Sequence, residues 1–142
     1  MQLSEFSLCL KPSPLAGIGV FATHDIAAGT LLCTTELGLR KMNIKDVPAD
    51  WQKFCVYIND EECFAPERFD RLEVGWFINH SSAPNIAIKD PLVNLDEIDI
   101  SKPQAYPFIA LKDIKAGEEI LVDYNYMKEP EHMKEDFYKA NA

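Results

Sequence analysis

The apolar residues of this chain fall in short runs that glycine, proline and polar turn residues separate. These runs are rich in β-branched and aromatic side chains, which fit the pleated, half-buried surface of a strand. They predict six strands, at 6–11, 18–22, 30–37, 85–89, 107–112 and 119–124. A polar stretch at 131–140 that carries Phe137 and Tyr138 predicts a helix. Many short strands with little helix favour a mainly β fold over an alternating βαβ nucleotide-binding fold.

Three parts of the chain have less regular patterns. The apolar residues of 51–58 stand at helical spacing, yet the second half of this segment is also a good strand, which Asn59-Asp60 would turn into 62–65. A hairpin is the favoured interpretation. The stretch at 67–78 predicts one or two helical turns, and the acidic stretch at about 90–106 predicts a long loop or an extended hairpin arm.

A short sequence of the form D-I-x-A-G occurs twice, at 25–29 and at 113–117. Each copy stands between two predicted strands. Both copies therefore predict the same strand–turn–strand element, in which Gly29 and Gly117 supply a positive φ that other residues adopt only at a cost.

Length and composition indicate one globular domain. The chain has 142 residues, 47% of them hydrophobic and 26% charged, which suits a soluble protein that buries a core. Its apolar runs are far shorter than the roughly 20 residues of a membrane helix, and its N-terminus does not read as a secretory signal. We therefore expect no membrane association. The expected location is the cytoplasm, or the nucleus or host nucleus for a eukaryotic protein, a viral protein or a secreted effector.

Charge and cysteine spacing narrow the expected partners. The net charge is −9, and direct nucleic-acid binding is not expected because it needs clustered Lys and Arg. The same charge attracts basic peptides by long-range steering, although it also serves simple solubility. The four cysteines have no C-x-x-C pair and no histidine at metal-ligand spacing, so we expect no metal and reduced thiols, with Cys9, Cys33 and Cys55 in the core.

Three motifs carry candidate chemistry. The first, GIGVFA at 17–22, has two glycines that let a ligand approach the backbone, although a plain turn has the same form. The second, NHSSAPN at 79–85, is dense in hydrogen-bonding groups, as is a capped loop. The third, GEEILVDYNY at 117–126, places Tyr124 and Tyr126 on one face if the strand continues, as ordinary strand tyrosines would also lie.

In this order and spacing, the three motifs together resemble the SET-domain lysine methyltransferases. The resemblance extends from about Gly17 to Tyr126, and its unmatched stretch, about 38–69, corresponds to the variable insert of that family. It implies a SET-domain fold of several small antiparallel sheets. In that fold the segment around Tyr124 threads beside the segment around Asn79 as a knot-like core, and we expect a short C-terminal helix after it.

The predicted organisation is a SET domain at 1–126, with the insert at about 38–69 and the acidic arm at about 90–106, followed by a tail at 127–142. Many relatives close the site with zinc-binding cysteines near the C-terminus. This chain has no cysteine after residue 63, so we expect the tail to close the site instead, with Phe137 or Tyr138 stacking on the adenine of the cofactor.

The resemblance also implies a reaction and a set of site residues. The cofactor would be S-adenosylmethionine (SAM), the reaction would be methyl transfer to the side-chain amine of lysine in a protein, and Tyr124 would be the catalytic residue at the point of transfer. Tyr126 would line the lysine channel, and Tyr57 of the insert is a second candidate there. The residues expected to hold the cofactor are Gly17, Ile18, Gly19, Asn79, His80, Tyr124 and Phe137.

A basic, histone-like protein is the favoured substrate class. One alternative is a catalytically silent SET-like module that binds peptides. Retention of Tyr124 and of the Asn79-His80 pair argues against it. Another is an oligomeric interaction module, for example a homodimer paired through the acidic arm, which is compatible with enzymatic activity.

Overall fold

A computed structural model describes residues 3–37, 39–89 and 104–139. Within these residues the chain forms ten short strands in three small sheets, together with six 3-10 turns. The mainly β prediction with several small, mostly antiparallel sheets is confirmed. The predicted acidic arm at 90–106 lies outside the described residues except for its last three positions. Among the described helices, none is both long and apolar enough to cross a membrane.

The first sheet places the three sequence motifs side by side. Its strands, in order across the sheet, are β1 (Leu8–Pro12), β2 (Ile18–Ala22), β10 (Glu119–Val122) and β7 (Asn79–His80). β1, β2 and β10 pair antiparallel, whereas β10 and β7 run parallel with Leu121 opposite Asn79. The predicted meeting of the segments around Tyr124 and Asn79 is therefore confirmed. The knot-like threading itself stays a prediction.

Two three-stranded sheets complete the fold. The second sheet contains β3 (Leu31–Leu37), β9 (Gln104–Ala110) and β8 (Ile86–Ile88), and the third contains β4 (Leu39–Asn43), β6 (Glu62–Pro66) and β5 (Val56–Tyr57). β5 and β6 form the hairpin favoured for the ambiguous segment. The chain before the hairpin forms a 3-10 helix at Ala49–Phe54, so the segment 51–58 divides between a short helix and a strand. A single 3-10 turn at Val74–Phe77 fulfils the prediction for 67–78.

The main core lies between the first two sheets. Its fully buried members include Val20, Ile86, Ile114 and Ile120. Side chains alternate along a strand, and the burial pattern of β10 alternates accordingly. Ile120 and Val122 therefore face this core, and the alternation turns Glu119 towards the other side of the sheet.

The two D-I-x-A-G turns bind each other across the fold. The backbones of Ile26 and Ile114 exchange two hydrogen bonds, at 2.7 and 2.8 Å. In each turn the aspartate accepts a hydrogen bond from a backbone N–H of an alanine in the other turn, at 2.9 Å in both cases. The glycine that ends each turn has a positive φ, 84° or 88°, as predicted. This reciprocal pairing ties the β2–β3 connection to the β9–β10 connection.

The tyrosine segment departs from the sequence prediction. β10 ends at Val122, and a 3-10 turn follows at Tyr124–Met127. Asp123 caps the start of this turn, since its side chain accepts a hydrogen bond from the Asn125 N–H at 3.0 Å. The strand predicted at 119–124 therefore ends two residues early, and the condition under which Tyr124 and Tyr126 would share one strand face is not met. An Asp cap of this kind offers the backbone an alternative to continued strand pairing.

The C-terminal tail and the cysteines differ from expectation in detail. The tail forms two separate 3-10 turns, Glu131–Met133 and Asp136–Tyr138, in place of one helix over 131–140. It has too few apolar residues to pack a longer helix. Cys63, on the central strand of the third sheet, is fully buried, whereas Cys9 and Cys55 are only half-buried, so their placement in the core is wrong. The Cys33 side chain lies outside the described part of the chain.

Candidate functional site

A cavity of about 600 Å³ lies where the first sheet, the insert hairpin and the C-terminal tail meet. This volume is typical of pockets that hold cofactor-sized ligands. Seven of the nine predicted site residues line it, namely Gly17, Ile18, Tyr57, Asn79, Tyr124, Tyr126 and Phe137. The other two, Gly19 and His80, lie next to lining residues rather than in the wall. The fold thus gathers the sequence motifs around one space.

The two glycines of the first motif are needed for different reasons. Gly17 has a φ of +46°, in the left-handed region that favours glycine, and a Cβ there would meet no atom within 4 Å. Gly19 has no such backbone constraint, but a Cβ there would stand only 2.2 Å from Glu119 Oε2. The first glycine therefore shapes a turn with open space beside it, and the second admits a carboxylate beneath that turn.

Asn79 and Glu119 hold this glycine turn from below. Asn79 Nδ2 donates to Glu119 Oε2 at 2.8 Å and to the Ala16 carbonyl at 3.0 Å. Ser13 Oγ donates to the same carboxylate at 2.8 and 3.0 Å. Charge-assisted hydrogen bonds of this length are the stronger ones in proteins. Together they fix the edge of the cavity formed by 16–18.

The His80 ring contacts Tyr124 through a hydrogen bond to its backbone and through packing of the two rings. Its Nδ1 accepts a hydrogen bond from the Tyr124 backbone N–H at 3.0 Å, which requires the proton of the neutral ring to lie on Nε2. Burial lowers the pKa of His80, and the Asp123 carboxylate, 3.7 Å from Nδ1, only partly opposes that shift. The backbone bond and the lowered pKa agree on a neutral histidine, so the contact with Asp123 is not an ion pair at neutral pH.

Tyr124 is fixed at both ends. Its hydroxyl donates to the Ile78 carbonyl at 2.7 Å, and its ring centroid lies 5.2 Å from that of His80 and 5.4 Å from that of Tyr138. Burial, with smaller contributions from two nearby carboxylates, raises the pKa of Tyr124 to about 12. The phenol is therefore protonated at neutral pH, and its position is set before any ligand binds.

The tail covers one side of the cavity. Tyr138 is buried and Phe137 is 61% exposed, yet their ring centroids lie 4.9 Å apart and both pack on His80. Asn125 Nδ2 donates to the Tyr138 carbonyl at 2.9 Å, and Lys134 Nζ donates to Asn125 Oδ1 at 2.6 Å. These bonds tie the tail to the turn that carries Tyr124.

Glu129 joins the tail region to the insert. It is only 6% exposed, and its carboxylate accepts hydrogen bonds from the Tyr57 backbone N–H and the Tyr138 hydroxyl, both at 2.8 Å. Burial raises the pKa of Glu129, and the two hydrogen bonds act in the opposite direction. Like Tyr57 and Tyr138, it lines the cavity.

No pattern in the amino-acid sequence predicts a role for Glu119 or Glu129. Glu119 belongs to the third motif, so its position in the sequence pointed to the site, but only the folded chain shows which groups it contacts. Glu129 is one glutamate in a polar stretch and carries no local signal. No cluster of three His, Cys, Asp or Glu side chains suited to a metal ion occurs among residues 3–37, 39–89 and 104–139.

Comparison with known proteins places this architecture in a family. The family model of the SET domain matches residues 17–125, which include the first two motifs, the insert and all of the third motif except its last residue, Tyr126. The chain belongs to the SET-domain family. The division between a SET domain ending at 126 and a separate tail stays a prediction.

Relatives of this SET domain include histone methyltransferases. Over 131 residues the chain is 29% identical to the Arabidopsis thaliana histone-lysine N-methyltransferase, H3 lysine-9 specific SUVH5, an alignment that covers 89% of this chain and 16% of that protein. The chain thus spans less than a fifth of the length of this curated relative.

Two solved structures share the SET-domain fold. One, a candidate histone methyltransferase of Plasmodium falciparum, has a TM-score of 0.55 at 19% identity and covers 85% of this chain and 95% of its own. The other, the methyltransferase domain of human PR domain-containing protein 2, has a TM-score of 0.53 at 23% identity and covers 84% of this chain and 77% of its own. At these identities the likeness supports the fold alone.

Proposed function

We propose that this SET domain binds SAM in the cavity and transfers its methyl group to a lysine side chain of a basic protein. The observation that carries the proposal is the convergence of the glycine turn, Asn79 and Tyr124 on one cavity of about 600 Å³. The open space beside Gly17 gives a ligand access to the backbone there. These features fit a cofactor that is held largely by main-chain contacts.

Each part of the cavity would hold a different part of the cofactor. The backbone of Gly17, Ile18 and the adjoining Gly19 would contact it directly, and Asn79 and His80 would hold its adenosine and methionine parts. Phe137 of the tail, exposed on one face, would cover the adenine. When bound, SAM supplies an electrophilic methyl group attached to a sulfonium sulfur. That sulfur is a good leaving group, because it departs as a neutral thioether when its bond to the methyl carbon breaks.

The aromatic side of the cavity would prepare the lysine. Entry of the lysine side chain into a site lined by Tyr57, Tyr124 and Tyr126 would remove its amine from water. This desolvation lowers the pKa of the lysine and favours its neutral, nucleophilic form. Aromatic faces also attract a methylated ammonium product. Tyr124 would orient the amine through a hydroxyl that still has lone pairs with which to accept a hydrogen bond. Because the raised pKa keeps the phenol protonated at neutral pH, Tyr124 would not act as the base that takes up the lysine proton.

Two observations support a basic protein as the substrate. The chain has a net charge of −9, which favours encounter with a cationic partner. Its curated relative is named as a histone H3 lysine-9 methyltransferase. Neither observation selects one protein or one lysine, so a mixture of histones is the appropriate first substrate.

The test is transfer of a labelled methyl group from SAM to histones by the wild-type protein and by Tyr124→Phe. We expect wild-type transfer and a loss of about 100-fold in the variant, because misplacement of a reacting group costs about that much. SAM affinity should change little, since the aromatic ring remains. Full activity of Tyr124→Phe would refute the role of this hydroxyl. Wild-type protein that binds SAM and a basic peptide but transfers nothing would favour the silent peptide-binding alternative.

A further inference from the structure

The cavity has two walls that lie outside the first sheet, the insert hairpin with Tyr57 and the tail with Tyr138. We propose that Glu129 is a positioning residue that holds these two walls together and so keeps the cavity in the form that binds ligand. The consequence for SAM affinity rests on the function proposed above, whereas the link between the walls can be measured without any ligand.

The contacts of Glu129 reach both walls at once. Oε2 accepts from the Tyr57 backbone N–H across 72 residues of sequence, and Oε1 accepts from the Tyr138 hydroxyl in a fully buried bond. A buried carboxylate is costly unless its oxygens have donors. Each wall therefore supplies a donor that Glu129 needs, and separation of the walls would leave the carboxylate without one of its partners.

The link continues from Glu129 to the proposed reaction centre. The Tyr138 ring that Glu129 holds lies 5.4 Å from the Tyr124 ring and 5.9 Å from the His80 ring, between centroids. A shift of Tyr138 would therefore move a face against which Tyr124 packs. If the walls separate in a fraction of molecules, the apparent affinity for ligand falls in proportion to the fraction that remains competent.

The titratable and charged groups near Glu129 come from both walls. Tyr57 and Cys55 belong to the insert, and Lys134, Glu135 and Tyr138 belong to the tail. Because burial raises its pKa, Glu129 takes up a proton at a higher pH than an exposed glutamate does. The protonated carboxyl accepts hydrogen bonds more weakly than the carboxylate. SAM affinity should therefore fall on acidification, and Glu129→Gln should remove this component of the pH dependence.

Hydrogen exchange of the cofactor-free 142-residue chain tests the link directly. We expect the Tyr57 amide to exchange at least about tenfold faster in Glu129→Gln than in the wild type, because the acceptor of that N–H is weakened. Tyr138→Phe, which keeps the ring and removes the hydroxyl, should speed exchange at Tyr57 in the same direction. The control is Glu61→Gln, an exposed carboxylate on the same hairpin, which should leave Tyr57 unchanged. Unchanged Tyr57 exchange in both test variants would overturn the proposal.

Calorimetric titration with SAM tests the consequence. We expect Glu129→Gln and Tyr138→Phe each to raise the Kd about five- to tenfold, and the double variant to be no weaker than the worse single variant because both break one link. Effects that multiply in the double variant would contradict a shared link. If the wild-type protein binds no SAM, the proposed function fails, while the exchange experiment still decides the role of Glu129.

Discussion

Gly19→Ala adds a methyl group at the most crowded point beneath the glycine turn. The new Cβ would stand 2.2 Å from Glu119 Oε2, 2.9 Å from Glu119 Cδ and 3.1 Å from Asn79 Nδ2. Non-bonded heavy atoms pack at about 3.5 Å, so the Glu119 carboxylate must retreat by about 1 Å. The glycine is therefore required by a side chain that lies 100 residues away in the sequence.

The retreat has a cost that follows from the bonds it breaks. The carboxylate accepts from Asn79 at 2.8 Å and from Ser13 at 2.8 Å, and bonds to charged groups contribute about 1.5–3 kcal/mol each when well buried. Glu119 and Ser13 are only half-buried, so water replaces part of the loss. We expect a loss of about 2 kcal/mol in unfolding free energy, or a fall of about 6 °C in Tm. Release of Asn79 should also weaken SAM binding at least about tenfold.

The assay is a double-mutant cycle by thermal unfolding. Gly19→Ala is compared in the wild-type background and in Glu119→Ser, which removes the colliding atoms, and its cost should fall to below about 0.5 kcal/mol in the second background. Gly29→Ala is the control, because its φ of +84° makes alanine unfavourable while no atom lies near its Cβ. Its cost should be equal in both backgrounds. An equal cost of Gly19→Ala in both backgrounds would refute the steric reasoning.

Three further perturbations test other parts of the site. Phe137→Ala should weaken SAM binding about three- to tenfold with only a small change in Tm, because the Phe137 ring is 61% exposed in the free protein and bound adenine would cover it. Unchanged affinity by calorimetry would remove Phe137 from the site. Asn85→Ala should lower the unfolding free energy by about 2–4 kcal/mol, because the buried Asn85 amide accepts a hydrogen bond from the Leu121 N–H and donates one to the Glu119 carbonyl, both at 2.8 Å. A loss below about 1 kcal/mol in urea unfolding would contradict this expectation. His80 has a pKa below its usual 6.5, so the unfolded chain takes up a proton there first. Its contribution to stability is therefore present above about pH 6.5 and is lost on acidification below it, and His80→Gln should show a smaller loss than the wild type.

Local sequence patterns predicted eight of the ten described strands but not β4 (Leu39–Asn43) or β7 (Asn79–His80). Strand β2 and both D-I-x-A-G turns lie where the chain predicts them, because β-branched runs and positive-φ glycines act within a few residues. The hairpin of the insert was also predicted, since Asn59-Asp60 offers a tight turn. The local pattern did not predict the end of β10. The Asp123 side chain caps a 3-10 turn there in competition with strand pairing, so the strand predicted at 119–124 extends beyond the observed end at Val122.

The candidate site could be predicted only in part, for a physical reason. Three motifs gave Gly17, Asn79 and Tyr124, but the contacts that hold them depend on partners far away in the sequence. Glu119 reaches Ser13 over 106 residues and Glu129 reaches the Tyr57 N–H over 72 residues. Such contacts arise from the order of the strands and the path of the tail, and neither leaves a periodic signal in the chain.

Titration of the purified 142-residue chain with SAM in a calorimeter tests the central claim most directly, because it needs no knowledge of the substrate. The account predicts saturable binding at one site, weakened at least about tenfold by Asn79→Ala and unchanged by the exposed control Glu61→Gln. Folded wild-type protein that binds no SAM, alone or together with a lysine-containing basic peptide, would contradict it.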